Sequence, residues 1–138
     1  MIKFAILSMF FAGFTSVIAK IGLTGISGEL GLSVRTLFVS VFVFGFAAMV
    51  VPLQDWSTLN RNNIVWLGAS GLTTTLSWIF YYKALKLGDV ATVALIDKGS
   101  VVVAIFLAWL LLKETVSIRI IMGALLIIAG LVVIAKKP

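Results

Sequence analysis

A chain of 138 residues that is 62% hydrophobic and 12% charged has too little core to hide its apolar surface from water, because so small a domain leaves much of its area exposed. Its formal net charge of +6 gathers at the ends of apolar runs and forms no basic stripe, which excludes a surface that tracks nucleic acid. Cysteine and histidine are both absent, so disulfide frameworks, thiolate nucleophiles, haem attachment and the usual zinc constellations are excluded, and neither a metal nor a cofactor is expected.

Five apolar runs follow one another, each near the about 20 helical residues that cross about 30 Å of hydrocarbon. They are continuously apolar and lack the two-residue alternation of membrane strands, which predicts an all-α polytopic bundle of five transmembrane helices. Span one covers about Met1 to Leu23. Its opening, Met1-Ile2-Lys3 and an apolar stretch to Ile18, has the outline of a signal peptide with Ala12 or Ala19 near a cleavage point. Lys20-Ile21-Gly22-Leu23 continues the helical pattern, however, and the span is retained.

Span two runs from about Leu32 to Leu53 and carries Arg35 near its start; span three runs from about Ile64 to Leu85. Along span three, Ser70, Thr74, Ser77 and Tyr81 recur at helical spacing, with Thr73, Trp78 and Tyr82 beside them. Such a polar and aromatic stripe suits a water-filled cavity that contacts a small organic solute. The plainer alternative is hydroxyls bonded to their own helix and aromatics in the interfacial belt. Gly88 and Asp89 then read as a helix stop and an N-cap, a turn short enough to make spans three and four antiparallel neighbours.

Span four, about Val90 to Leu112, contains Asp97 and Lys98; span five, about Ile118 to Ile134, follows a cap at Ser117. Glu114 reads as a helix-end charge near Lys113 and Arg119. Small residues mark places of close helix approach: Ala12 and Ser16, Gly68 and Gly71, Ala104 and Ala108, Gly123 and Gly130. With Thr24 to Gly31 and Gln54 to Asn63 as the longest connections, residues 1–138 are expected to form one domain.

Alternating the spans puts Lys20, Arg35, Tyr81, Tyr82, Asp97 and Lys98 within about three turns of one membrane face. Asp97 shares a helical face with Ala94, Val101, Ala104 and Ala108, while Lys98 turns toward Leu95, Val102, Ile105 and Trp109. Neighbours on a helix do not face each other, so Asp97 is expected to seek Lys20 or Arg35, either as a structural ion pair or in substrate or proton coupling. Snorkelling to headgroups is the alternative for Lys20 and Lys98, and simple anchoring for Arg35. If all four charges converge, three cations against one anion favour a ligand bearing carboxylate or phosphate.

The stretch Tyr82-Lys83-Ala84-Leu85-Lys86-Leu87-Gly88-Asp89, then Asp97-Lys98-Gly99-Ser100-Val101-Val102, then Leu112-Lys113-Glu114 and Gly123-Ala124-Leu125-Leu126-Ile127-Ile128-Ala129-Gly130 together resemble an EamA-type domain of the drug/metabolite transporter superfamily. Ala19-Lys20-Ile21-Gly22-Leu23 and Arg35 resemble that family's first two helices, so the resemblance spans essentially the whole chain. Members commonly hold two such domains in inverted orientation, ten helices in all, and move small metabolites; this chain resembles a single-domain, five-helix member. Leu95 stands where related sequences often have proline before the Asp-Lys pair, which removes the proline-based reason for a kink in span four. The four-helix multidrug exporters fit less well, since they carry an acidic residue in a first helix and this one has none.

The resemblance and the polar layer together predict a secondary transporter of a small metabolite or drug-like solute, with substrate or coupling contacts from Asp97, Lys98, Lys20, Arg35, Ser77, Trp78, Tyr81 and Tyr82. No catalytic residues are expected, since no nucleophile and base are suggested by the spacing. A non-transporting membrane subunit that packs with another transporter is the alternative. Lys3, Arg61, Lys113 and Arg119 on one side balance Lys83, Lys86, Lys136 and Lys137 on the other, so the positive-inside rule gives no clear orientation. That near-balance suggests copies inserted both ways and paired as an antiparallel homodimer, in a prokaryotic inner membrane, with a parallel dimer or a partner encoded by another gene as the alternatives.

Overall fold

The computed structural model describes residues 1–135, and these are helical with no strand among them. Lys136 and Lys137, counted above for orientation, lie outside the described residues. The helices are α1 (Ile2–Gly22), α2 (Gly28–Val50), α3 (Leu53–Trp56), α4 (Arg61–Leu87), α5 (Val90–Asp97), α6 (Ser100–Leu111) and α7 (Ile118–Ala135). Among the described residues, α1, α2, α4, the α5–α6 stretch Val90–Leu111 and α7 are the five segments long and apolar enough to cross a membrane. Their apolar windows are not buried within the chain, as expected of surfaces that meet lipid.

Local chemistry explains where these helices begin and end. Ser27 caps α2, its Oγ accepting the Leu30 amide at 3.2 Å, so α2 starts four residues ahead of the apolar run at Leu32. Val51, extended ahead of Pro52, stops it before the expected end at Leu53. Asn60 Oδ1 accepts the Asn63 amide at 2.8 Å and begins α4 three residues before Ile64. Asp89 caps α5 by accepting the Thr92 amide at 2.7 Å, as its position predicted. Ser117 Oγ accepts the Ile120 amide at 3.4 Å at the head of α7. Gly25, with φ 76°, turns the chain between α1 and α2 in a conformation that favours glycine.

Two compact units are distinguished. One, residues 17–87, holds the end of α1 together with α2, α3 and α4. Here α2 and α4 pack antiparallel, and Leu23, Leu32, Tyr82 and Leu85 are buried, Leu85 completely. Gly28 is what lets α2 approach α4: a Cβ there would lie 3.1 Å from the Tyr82 carbonyl oxygen. The other unit combines residues 1–16 with the chain from Gly88 onward, where α5 and α6 both pack against α7.

The fourth span is interrupted. Between α5 and α6, the Lys98 amide donates to Leu95 O at 3.1 Å and the Gly99 amide to Ile96 O at 2.9 Å, replacing the regular helical pattern by tighter three-residue closures. The interruption needs no proline. A Cβ on Gly99 would lie 3.0 Å from Leu131 Cδ1 and 3.1 Å from Ile96 O, so glycine gives both the tight turn and the close approach of α7.

Candidate functional site

In the unit of residues 17–87, the cations expected to lie at depth have defined contacts. Lys20, in the last turn of α1, donates from Nζ to the carbonyl of Leu85 in the last turn of α4. Lys86, in the last turn of α4, donates at 3.0 Å to the carbonyl of Leu23, just beyond α1. The final carbonyls of a helix lack intrahelical donors and carry the negative end of its dipole. Each helix thus supplies the cation that caps the other, and α1 and α4 end side by side.

Arg35 projects from α2 with its guanidinium carbon 4.3 Å from the Trp78 ring centroid and 5.9 Å from that of Tyr82. This is cation–π geometry, and it explains why the two aromatics sit one turn apart on α4. Arg35 Nη1 is buried without a hydrogen-bond partner. Tyr81 is half-buried, its ring 6.4 Å from that of Tyr82. With Lys20 on a carbonyl and Arg35 over two rings, the positive surplus that would favour a carboxylate or phosphate ligand is partly taken up by the fold itself.

The stripe predicted on span three is rotated relative to the face that α4 turns to α2. That face carries Thr75, Trp78, Ile79 and Tyr82, whereas Ser77 is exposed. The hydroxyls of Thr73 and Thr74 both donate to Ser70 O, at 2.9 and 2.8 Å, the back-bonding that was the plainer alternative for this stripe. A second stripe went unnoticed in the sequence. Glu29, Ser33, Thr36 and Ser40 recur on α2 at intervals of four, three and four, and with Leu32, Leu37, Thr75, Trp78 and Ile79 they line a cleft of about 590 Å³ between α2 and α4. The helical spacing was available to find it, but with span two begun at Leu32 the carboxylate of Glu29 fell outside the helix. Glu29 Oε1 lies 3.4 Å from Lys83 Nζ, in a pair whose side chains are both more than half exposed.

Asp97 and Lys98 belong to the other unit and flank the interruption of the fourth span. Counting about 1.5 Å per residue from Val90 puts Asp97 about 10 Å into that span. Asp97 Oδ2 and Lys98 Nζ approach to 3.9 Å, contrary to the expectation that sequence neighbours stay apart. That expectation assumed an unbroken helix. At Lys98 and Gly99 the backbone closes in three-residue steps, so the regular angular spacing of side chains assumed for Asp97 and Lys98 does not hold there. The same unit has a larger, mainly apolar groove of about 900 Å³ between α6 and α7, with Trp109, Lys113 and Glu114 among its lining residues. Lys113, at φ 55°, holds the turn that follows α6.

Comparison with known proteins agrees with this architecture. The EamA-like transporter family matches residues 1–136. A protein of Sinorhizobium sp. named "Uncharacterized transporter in cobO 3'region" is 34% identical over 131 residues, which cover 95% of this chain and 93% of that protein. No solved structure matches the chain.

Proposed function

Since the chain belongs to the EamA-like transporter family and is an integral membrane transporter, we propose that it is a secondary transporter of a small metabolite or drug-like solute, working by alternating access as a dimer in a prokaryotic inner membrane. The observation that carries this reading is the interruption of the fourth span beside Asp97 and Lys98. A mid-helix stretch of three-residue closures is a place where a helix can hinge, and here it lies beside two ionisable side chains. The pair at 3.9 Å is loose, and its side chains are 56% and 39% exposed, so either charge is available to a solute or a coupling proton. Arg35, Trp78 and Tyr82 hold the second span against the third, and movement of helices around the break supplies the change of access. The near balance of Lys and Arg between the two sides supports an antiparallel homodimer, which reporter fusions at the C-terminus test: a single exclusive location removes it.

The test of transport is uptake into proteoliposomes of pooled small charged and aromatic compounds, with and without a pH gradient, for wild type and Asp97→Asn. Saturable uptake that falls at least about tenfold in a variant of unchanged melting temperature is the expected result. Absence of uptake by folded protein favours instead a non-transporting subunit of another transporter.

A further inference from the structure

The cleft between α2 and α4 has a polar character that its residue types alone do not disclose. Ser33 Oγ donates to Glu29 O at 2.9 Å, Thr36 Oγ1 to Leu32 O at 2.8 Å, Ser40 Oγ to Thr36 O at 2.9 Å and Thr75 Oγ1 to Gly71 O at 2.9 Å. A hydroxyl has one proton and two lone pairs. With each proton committed to its own helix, these four groups offer a ligand acceptors only. From Glu29 to Ser40 the stripe descends about 16 Å along α2, from the end of the span to near the middle of the hydrocarbon. At its upper end stands a carboxylate, and the group now paired with it is an ammonium, that of Lys83.

The side-chain class complementary to a row of acceptors ending in a carboxylate is one with several donors, no acceptor and a positive charge, which describes an ammonium. Lys83 already plays that part at 3.4 Å, in a pair exposed enough to exchange. We infer that the α2–α4 cleft binds a small organic primary amine in its protonated form. Its ammonium takes the place of Lys83 on Glu29 and beside the upper hydroxyls, and its apolar body lies along Leu32 and Ile79 toward Trp78. The cleft volume of about 590 Å³ is within the range of small-molecule sites. The inference makes no use of Asp97 and is read out by binding, so it stands or falls independently of the transport reading.

The test is calorimetric titration of the full chain in lipid nanodiscs with 2-phenylethylamine, using 2-phenylethanol and 3-phenylpropionate as neutral and anionic counterparts. Saturable amine binding is expected, with both counterparts at least about tenfold weaker. Glu29→Gln is expected to weaken the amine by about tenfold, and Lys83→Met, which removes the internal competitor, to tighten it by about two- to fivefold. Opposite shifts from the two members of one ion pair are a signature that mere loss of structure does not produce. Equal binding of the alcohol, no saturation by protein of normal melting behaviour, or shifts in the same direction from the two variants overturns the inference.

Discussion

Residues 17–87 and the α5–α7 region use charge within the membrane in opposite ways. In the first, Lys20 and Lys86 cap the ends of neighbouring helices and Arg35 lies over Trp78, all around a small buried knot of Leu23, Leu32, Tyr82 and Leu85. In the second, Asp97 and Lys98 flank a helix break, and α5, α6 and α7 contain no buried residue. Depth in an apolar span therefore does not by itself mark a substrate contact. What separates the two regions is whether a charge is held by a carbonyl or ring of the fold or only by a loose, half-exposed partner.

The comparison breaks most sharply at the knot. Leu85→Ala removes a side chain that is 0% exposed and is expected to cost about 2–5 kcal/mol. Leu126→Ala on α7, where the side chain is 74% exposed, is expected to change stability by less than about 0.5 kcal/mol. Unfolding titrations in detergent micelles check both, and equal effects would mean that residues 17–87 are no better packed than α5–α7. Next in size is Gly28→Ala. The new Cβ meets backbone, 3.1 Å from Tyr82 O and 3.3 Å from Tyr82 C, so α2 and α4 must move apart, at a cost of about 1–3 kcal/mol. Gly31→Ala meets chiefly the end of the Leu23 side chain rather than backbone, so a shift of that side chain relieves it, and it is expected to cost less. The reverse order would show that the approach of α2 to α4 at Gly28 is not what holds them.

These contrasts also divide what the sequence makes legible from what it hides. Hydropathy is a one-dimensional property, so five spans, the all-helical class and the caps at Asp89 and Ser117 could be read directly from the order of residues. The interruption at Lys98 and Gly99 could not, because no proline marks it and the packing of Gly99 against Leu131 leaves no signal in the order of residues. Trp78, Tyr82 and Arg35 were candidates, but their union depends on which face α4 turns to α2, and the spacing of residues does not give that rotation. The reciprocal lysine caps join residues 65 and 63 positions apart and follow only from which helices end together.

Those caps give an effect of similar size. Lys20→Met and Lys86→Met each leave a helix-terminal carbonyl without its cationic donor, for an expected loss of about 1.5–3 kcal/mol. Lys98→Met, which leaves behind only a half-exposed pair at 3.9 Å, is expected to fall below about 1 kcal/mol while impairing uptake. Chemical denaturation of the three variants side by side checks the order. A Lys98 variant as unstable as the Lys20 variant would place Lys98 among the structural cations and remove the contrast between the two regions.

The smallest effect asks whether Arg35 acts by charge or by shape. Arg35→Lys keeps the positive charge, so an anchor to headgroups would survive the change with stability intact. A planar guanidinium 4.3 Å from an indole centroid is a different device: it stacks as well as attracts, and an ammonium on a flexible stem cannot reproduce the stacking. The expected cost is about 0.5–1 kcal/mol, and Trp78→Leu in the same background should add little, because the two changes remove one interaction. Additive losses in that double-mutant cycle would return Arg35 to the anchoring role. A coupling of about 0.5 kcal/mol or more would make the ring pair of α4 the reason that an arginine is tolerated in the second turn of a membrane span.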